Sequence, residues 1–228
     1  ISWNVLEEEY RADPALSYSK LSQFFKNGPK ALISTEKVDT QSLRFGSLVD
    51  CILTSPEEFD DKFYVADIEK FSSTFREITD RIFLDYPDIE ELKDVPNLDV
   101  YLADWNPRYG LEAKLKAFLP GCSDYFTVLR YSTGKIVITQ QELEQAQSCV
   151  QTLKTHPFTY QIFDCNEDEE IFYQLKFKTK IEDCDNSDVR IMTDIIKVNH
   201  RDKLIQVYDL KTTGKNEEDF EELFDLWC

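Results

Sequence analysis

Three apolar-polar alternating runs, separated by two short polar turns, dominate the last third of the chain and constrain its fold most. Residues 171–181 (IFYQLKFKTKI) alternate with period two from Tyr173 to Ile181. An acidic stretch from Glu182 to Asp188 leads into 189–198 (VRIMTDIIKV), and Asn199, His200, Arg201 and Asp202 lead into 203–213 (KLIQVYDLKTT). Period-two alternation is the mark of a half-buried strand. Turns this short cannot carry a crossover, so the three strands are expected to form an antiparallel meander. Gly214 closes it, and an acidic helix is expected from Glu217 to Trp227.

Upstream the periodicity is helical. Ser17 or Ser19 can cap a helix whose apolar stripe is Leu21, Phe24 and Phe25, with Gly28-Pro29 at its end. Residues 41–53 form a second helical candidate, in which Gly46 and Ser47 would allow close packing against a neighbour. Residues 71–120 read as helices broken at Pro87, Pro96 and Pro107, without definable ends. Thr139 and Glu142 resemble a capping box opening a helix that runs to about His156-Pro157. The class is therefore α+β, helices first and sheet after. The 228 residues suit one domain, or at most a core with a helical appendage.

Several function classes are excluded. No run of about 18 apolar residues exists, so nothing spans a membrane as a helix. The N-terminus lacks the basic and apolar regions of a secretory signal, and the six scattered cysteines are expected to be free thiols in a cytosolic protein. Two isolated histidines and no close cysteine pair argue against zinc. With six glycines and no Gly-rich loop, ATP hydrolysis is not expected. The net charge of −18 argues against a general nucleic-acid coat protein, though not against an enzyme with a locally positive groove.

Chemistry concentrates in the meander. Asp194 interrupts an otherwise apolar or β-branched strand, where an unpaired carboxylate costs several kcal/mol. Asp209 and Lys211 share one face of the next strand, about 6.6 Å apart at roughly 3.3 Å per residue. A register placing Asp194 beside Asp209 would gather two carboxylates and an ammonium on one patch. Such a patch can hold hard cations, activate water and neutralise a phosphate. The alternative is a cross-strand ion pair of Asp194 with Lys211, with Asp209 solvated. Lys176 and Lys178, with Lys180, share one strand face, either tracking a DNA backbone or facing solvent. Arg190 can contact phosphate or pair with an acid on a neighbouring strand.

The run 207–214 (VYDLKTTG), with Asp194 in the strand before it, resembles the PD-(D/E)XK nuclease superfamily, and within it the RecE-type and RecB-like phage and bacterial exonucleases. Residues 16–21 with Phe25 and Pro29, residues 45–49 (FGSLV) with Leu53 and Pro56, and residues 135–139 leading to His156-Pro157 are similar to further family segments in the same order. The resemblance implies a single restriction-endonuclease-like domain over residues 1–228. A central mixed sheet with an antiparallel catalytic meander would be flanked by helices, the helical part covering about 1–165 and the catalytic sheet about 169–214. It implies Mg²⁺- or Mn²⁺-dependent hydrolysis of DNA, by an exonuclease of phage-type recombination in the cytoplasm of a bacterial or phage-infected cell. Asp194, Asp209 and the main-chain carbonyl of Leu210 would be metal ligands, and Lys211 would position the water.

Glu170, or its neighbour Glu169, fits the acidic residue expected in the first catalytic strand; the plain alternative is a solvated loop. Asp50 stands where relatives often carry a histidine, and is either a ligand or a helix-surface residue. Double-stranded DNA ends, a single-strand annealing protein and a second copy of the chain are the implied partners. Relatives continue with a further helix over the site, so a chain ending at Cys228 is expected to be truncated. The competing reading is a non-catalytic or degenerate DNA-binding module with the same fold.

Overall fold

The computed structural model describes residues 2–32, 40–68, 72–182 and 187–212. They form two compact units, one of residues 1–56 and 146–228, the other of residues 57–145. In chain order the elements are α1 (Glu7–Ala12), α2 (Tyr18–Asn27), α3 (Gln41–Thr54), α4 (Phe59–Lys62), β1 (Phe63–Val65), α5 (Ser73–Asp85), α6 (Leu98–Tyr101), α7 (Leu111–Tyr131), β2 (Ile136–Ile138), α8 (Gln140–Thr155), α9 (Tyr160–Phe163), β3 (Glu169–Ile181), β4 (Ser187–Asn199) and β5 (Leu204–Tyr208). The class is α+β. No described helix is long and apolar enough to cross a membrane.

Local chemistry explains the helix ends. Ser17, not Ser19, caps α2, its hydroxyl accepting from the Lys20 N–H at 3.4 Å. Gly28 ends that helix at φ +73°, a conformation that side chains disfavour, while its N–H reaches the Phe24 carbonyl at 2.8 Å. Thr40 caps α3 through the Leu43 N–H. At α8 the reciprocal capping box is present. The Glu142 carboxylate accepts from the Thr139 N–H at 2.9 Å, and the Thr139 hydroxyl accepts from the Glu142 N–H at 3.1 Å.

In the first unit β3, β4 and β5 form the antiparallel meander that the alternation predicts, in the order β3-β4-β5. The hairpin of β3 and β4 is paired from Glu169↔Asn199 to Ile181↔Ser187, with one break in the ladder at Gln174, between Tyr173↔Ile195 and Leu175↔Thr193. β5 pairs with β4 only from Ile195↔Tyr208 to Asn199↔Leu204. Toward the other end of β4, Leu16 forms a parallel bridge with Val189: its N–H donates to Asp188, and its carbonyl accepts from Arg190. The N-terminal segment also reaches β3, where the Trp3 N–H donates to the Lys176 carbonyl at 2.7 Å.

The second unit has its own core, in which Ile82 of α5, Leu102, and Phe118, Cys122 and Phe126 of α7 are fully buried. Phe75 meets Phe118 edge-on at 5.2 Å. Each buried ring contributes about 1.5–3 kcal/mol through apolar area removed from water. Lys114 is buried too, its ammonium donating to the carbonyls of Leu102 at 2.6 Å and Ala103 at 2.9 Å just past α6. It thereby satisfies acceptors that a helix end leaves open.

The mixed central sheet expected from the resemblance is not present among the described residues. β1 and β2 pair in parallel, but as a separate two-stranded sheet in the second unit. The stretch 135–139 contributes β2 as well as the approach to α8. Gly214 and the helix expected from Glu217 to Trp227 lie outside the described residues.

Candidate functional site

The register assembles the site in the first unit. Tyr173 faces Ile195 and Leu175 faces Thr193, which sets Gln174 opposite Asp194. The last pair of the next ladder, Ile195↔Tyr208, sets Asp194 against Asp209 at the following position. Gln174, Asp194 and Asp209 therefore form one row across three neighbouring chain segments. Asp194 accepts a hydrogen bond from the Leu210 N–H at 2.5 Å. Lys211 forms an ion pair with Asp209, both side chains being more than half exposed. The ammonium thus goes to Asp209 and not to Asp194, so the cross-strand pair considered as the alternative is not the one formed.

Burial pushes the Asp194 carboxyl above the usual carboxylate range, and the charge of Asp209 adds to the effect. The Leu210 N–H and the Lys211 charge act in the opposite direction. The half-buried Asp194 carboxylate and the exposed Asp209 carboxylate repel each other, and a cation between them would relieve that repulsion.

Helix α3 brings three residues spaced by four, and hence on one face, to this row. An added Cβ at Gly46 would lie 2.7 Å from the Thr212 hydroxyl, so α3 approaches the segment after β5 closely and a larger residue would have to move that side chain. One turn on, Asp50 accepts from the Gln174 side-chain amide at 2.8 Å. After another turn the Thr54 hydroxyl accepts from the same amide nitrogen at 2.9 Å, while donating to the Asp50 carbonyl. Gln174 has φ +49°, a left-handed conformation that costs a non-glycine residue about 1–2 kcal/mol. Its two side-chain bonds to α3 help hold it there. Strain of this kind collects at functional sites.

Gly46→Ala is expected to force the Thr212 side chain aside and lower stability by about 1 kcal/mol, the scale of mild overpacking. Adding Thr212→Ala should restore most of the loss, which a double-mutant cycle of thermal stability measures. Independent effects of the two changes would overturn the contact.

Other expected site residues lie elsewhere. Glu170 faces Val198 on the far part of the hairpin, with its carboxylate 3.3 Å from His200. It is four strand positions, about 13 Å, from the row. Glu169 is bound to Lys197 at 3.2 Å, and the Asn166 N–H first and then Lys197 hold its carboxyl below the usual range. Asp50 engages Gln174 and does not stand in the row. At Leu210 the main-chain group touching Asp194 is the N–H.

The basic residues proposed to meet DNA are engaged by the N-terminal segment. Arg190 is buried, with its guanidinium 4.9 Å from the centre of the Tyr10 ring. Lys176 donates to the Val5 carbonyl at 2.9 Å. Lys178 pairs with Asp13 at 2.6 Å and lies 5.2 Å from the Trp3 ring centre. Gln174 and Thr54 were not singled out by the sequence, because a glutamine among alternating polar residues looks like any solvent-facing position.

Among the described residues no group of three or more His, Cys, Asp or Glu side chains is placed to hold a metal ion. The Asp194–Asp209 pair nonetheless offers the hard oxygen donors that Mg²⁺ and Mn²⁺ prefer. The chain matches no family model, no curated protein and no solved structure.

Proposed function

We propose that this chain is a divalent-metal-dependent deoxyribonuclease of the PD-(D/E)XK type, hydrolysing DNA phosphodiester bonds. The observation that carries the reading is the register that sets the half-buried Asp194 against Asp209, with Lys211 beside them. Asp194 and Asp209 would hold Mg²⁺ or Mn²⁺. The bound ion supplies an activated water and stabilises charge on the phosphate. Asp194 is oriented by the Leu210 N–H, which keeps one carboxylate oxygen fixed at the row. Lys211, at the exposed rim, leaves Asp209 to neutralise the scissile phosphate or to orient the attacking water. The restriction-endonuclease-like core, the action on duplex ends in phage-type recombination, the annealing protein, the homo-oligomer and the cytoplasmic setting belong to the same proposal and rest on the sequence resemblance.

A rival reading, a DNA-binding module without catalysis, draws on Asp50, which stands where relatives often carry a histidine and here engages Gln174. Incubation with linear duplex DNA separates the two. Degradation in Mg²⁺ or Mn²⁺, abolished by a chelator and by Asp209→Ala, is the expected result. Salt-sensitive DNA binding without cleavage in either cation would establish the rival instead.

A further inference from the structure

We infer that the side-chain carbonyl oxygen of Gln174 is a third, neutral ligand of the metal held by Asp194 and Asp209, and that Asp50 acts by aiming it. The inference rests on the metal-site reading given under Proposed function and names a ligand that the carboxylates alone do not supply.

Chemistry fixes the orientation of the Gln174 amide. The Asp50 carboxylate can only accept a hydrogen bond, so the group facing it at 2.8 Å is the NH₂ of Gln174. The Thr54 hydroxyl spends its proton on the Asp50 carbonyl at 2.8 Å, so it too accepts from that nitrogen, at 2.9 Å. Both amide hydrogens are thereby used on α3. The carbonyl oxygen, on the opposite side of the planar amide, is turned away from those two partners. It accepts no hydrogen bond among the described residues and is not among their buried unsatisfied atoms.

The position is right as well. Gln174 stands opposite Asp194 by register, as Asp209 does on the other side. At φ +49° it is the only residue of β3 in a left-handed conformation, so the backbone departs from extended geometry at the one point where the row is built. An amide oxygen beside two carboxylates makes an all-oxygen set, suited to a hard dication and poor for zinc or copper. The role of Asp50 then differs from that of a ligand: it positions Gln174, with Thr54 as its second anchor.

The test is calorimetric titration of Mn²⁺ into the full chain and four variants. Wild type is expected to bind, and Asp194→Ala to lose binding. Gln174→Met, similar in shape but without the amide, should weaken affinity about tenfold or more. Asp50→Ala should weaken it by a similar or smaller factor, as loss of an outer-shell partner does. Gln174→Glu should tighten binding, an outcome that misfolding cannot produce. Mn²⁺ affinity unchanged in both Gln174 variants, with Asp194→Ala defective, would overturn this inference and leave the metal site standing. Equal absence of binding in wild type and Asp194→Ala would overturn the metal site and the inference together.

Discussion

Replacing Lys211 with alanine is expected to slow Mg²⁺-dependent cleavage by about 10³-fold while leaving Mn²⁺ affinity within a few-fold of wild type. Removing a group that stabilises transition-state charge, or that assists proton transfer, costs about 10²–10⁴ in rate. In the proposed site the metal is held by Asp194, Asp209 and Gln174, and deleting the ammonium beside Asp209 removes a competitor for that carboxylate. Folding should barely change, because an ion pair between two side chains more than half exposed contributes about 0–1 kcal/mol. Lys211→Arg keeps the charge but not the compact ammonium, and should recover only part of the rate. Single-turnover cleavage beside the Mn²⁺ titration separates the effects. Wild-type cleavage by the alanine variant would remove Lys211 from the mechanism.

Asp194→Asn should abolish metal binding and cleavage and yet make the metal-free chain more stable at neutral pH, by on the order of 1 kcal/mol, a usual gain when a strained functional group is relieved. Asparagine keeps an acceptor for the Leu210 N–H and removes the charge that burial and Asp209 disfavour. The folded carboxyl titrates above its unfolded value of about 3.9, so the folded state holds its proton more tightly. Below the unfolded value the group is protonated in both states and carries no penalty. As pH rises through the folded value that stability is lost. The advantage of the variant should therefore be largest near pH 7 and shrink toward pH 4. Thermal melts at both pH values without divalent cation measure it. Added Mn²⁺ should stabilise wild type by mass action and leave the variant unmoved. A variant less stable than wild type at pH 7 would show that the Asp194 charge is compensated in the fold.

The parts of this arrangement that follow period two were legible in the sequence. Alternation and two short turns located the meander, and the position of Asp194 relative to Asp209 and Lys211 follows once Ile195 pairs with Tyr208. The small residues of α3 pointed to a close approach, which Gly46 makes on Thr212. Gln174 was hidden because its role depends on one backbone angle and on a helix far away in sequence. The distance of Glu170 from the row is set by a register that composition cannot reveal, and that register faces it to Val198. The contacts of Lys176, Lys178 and Arg190 are not legible in the sequence because their partners, Trp3, Val5, Tyr10 and Asp13, lie more than 160 residues away. Division into two units was equally hard to read, since the second unit interrupts the first between residues 56 and 146.

That interruption bears on the order of events during synthesis. The segment from Trp3 to Leu16 leaves the ribosome well before the hairpin, whose carbonyl and amide partners for it are made 170 or so residues later. At about 5–20 residues per second the gap is roughly 10–30 s. Residues 57–145 are complete well before then and can collapse on their own apolar cluster. The first unit must wait, with Trp3, Tyr10 and Leu16 unclaimed, until the hairpin of β3 and β4 has been translated. Its exposure to chaperones and proteases is therefore written into the sequence order.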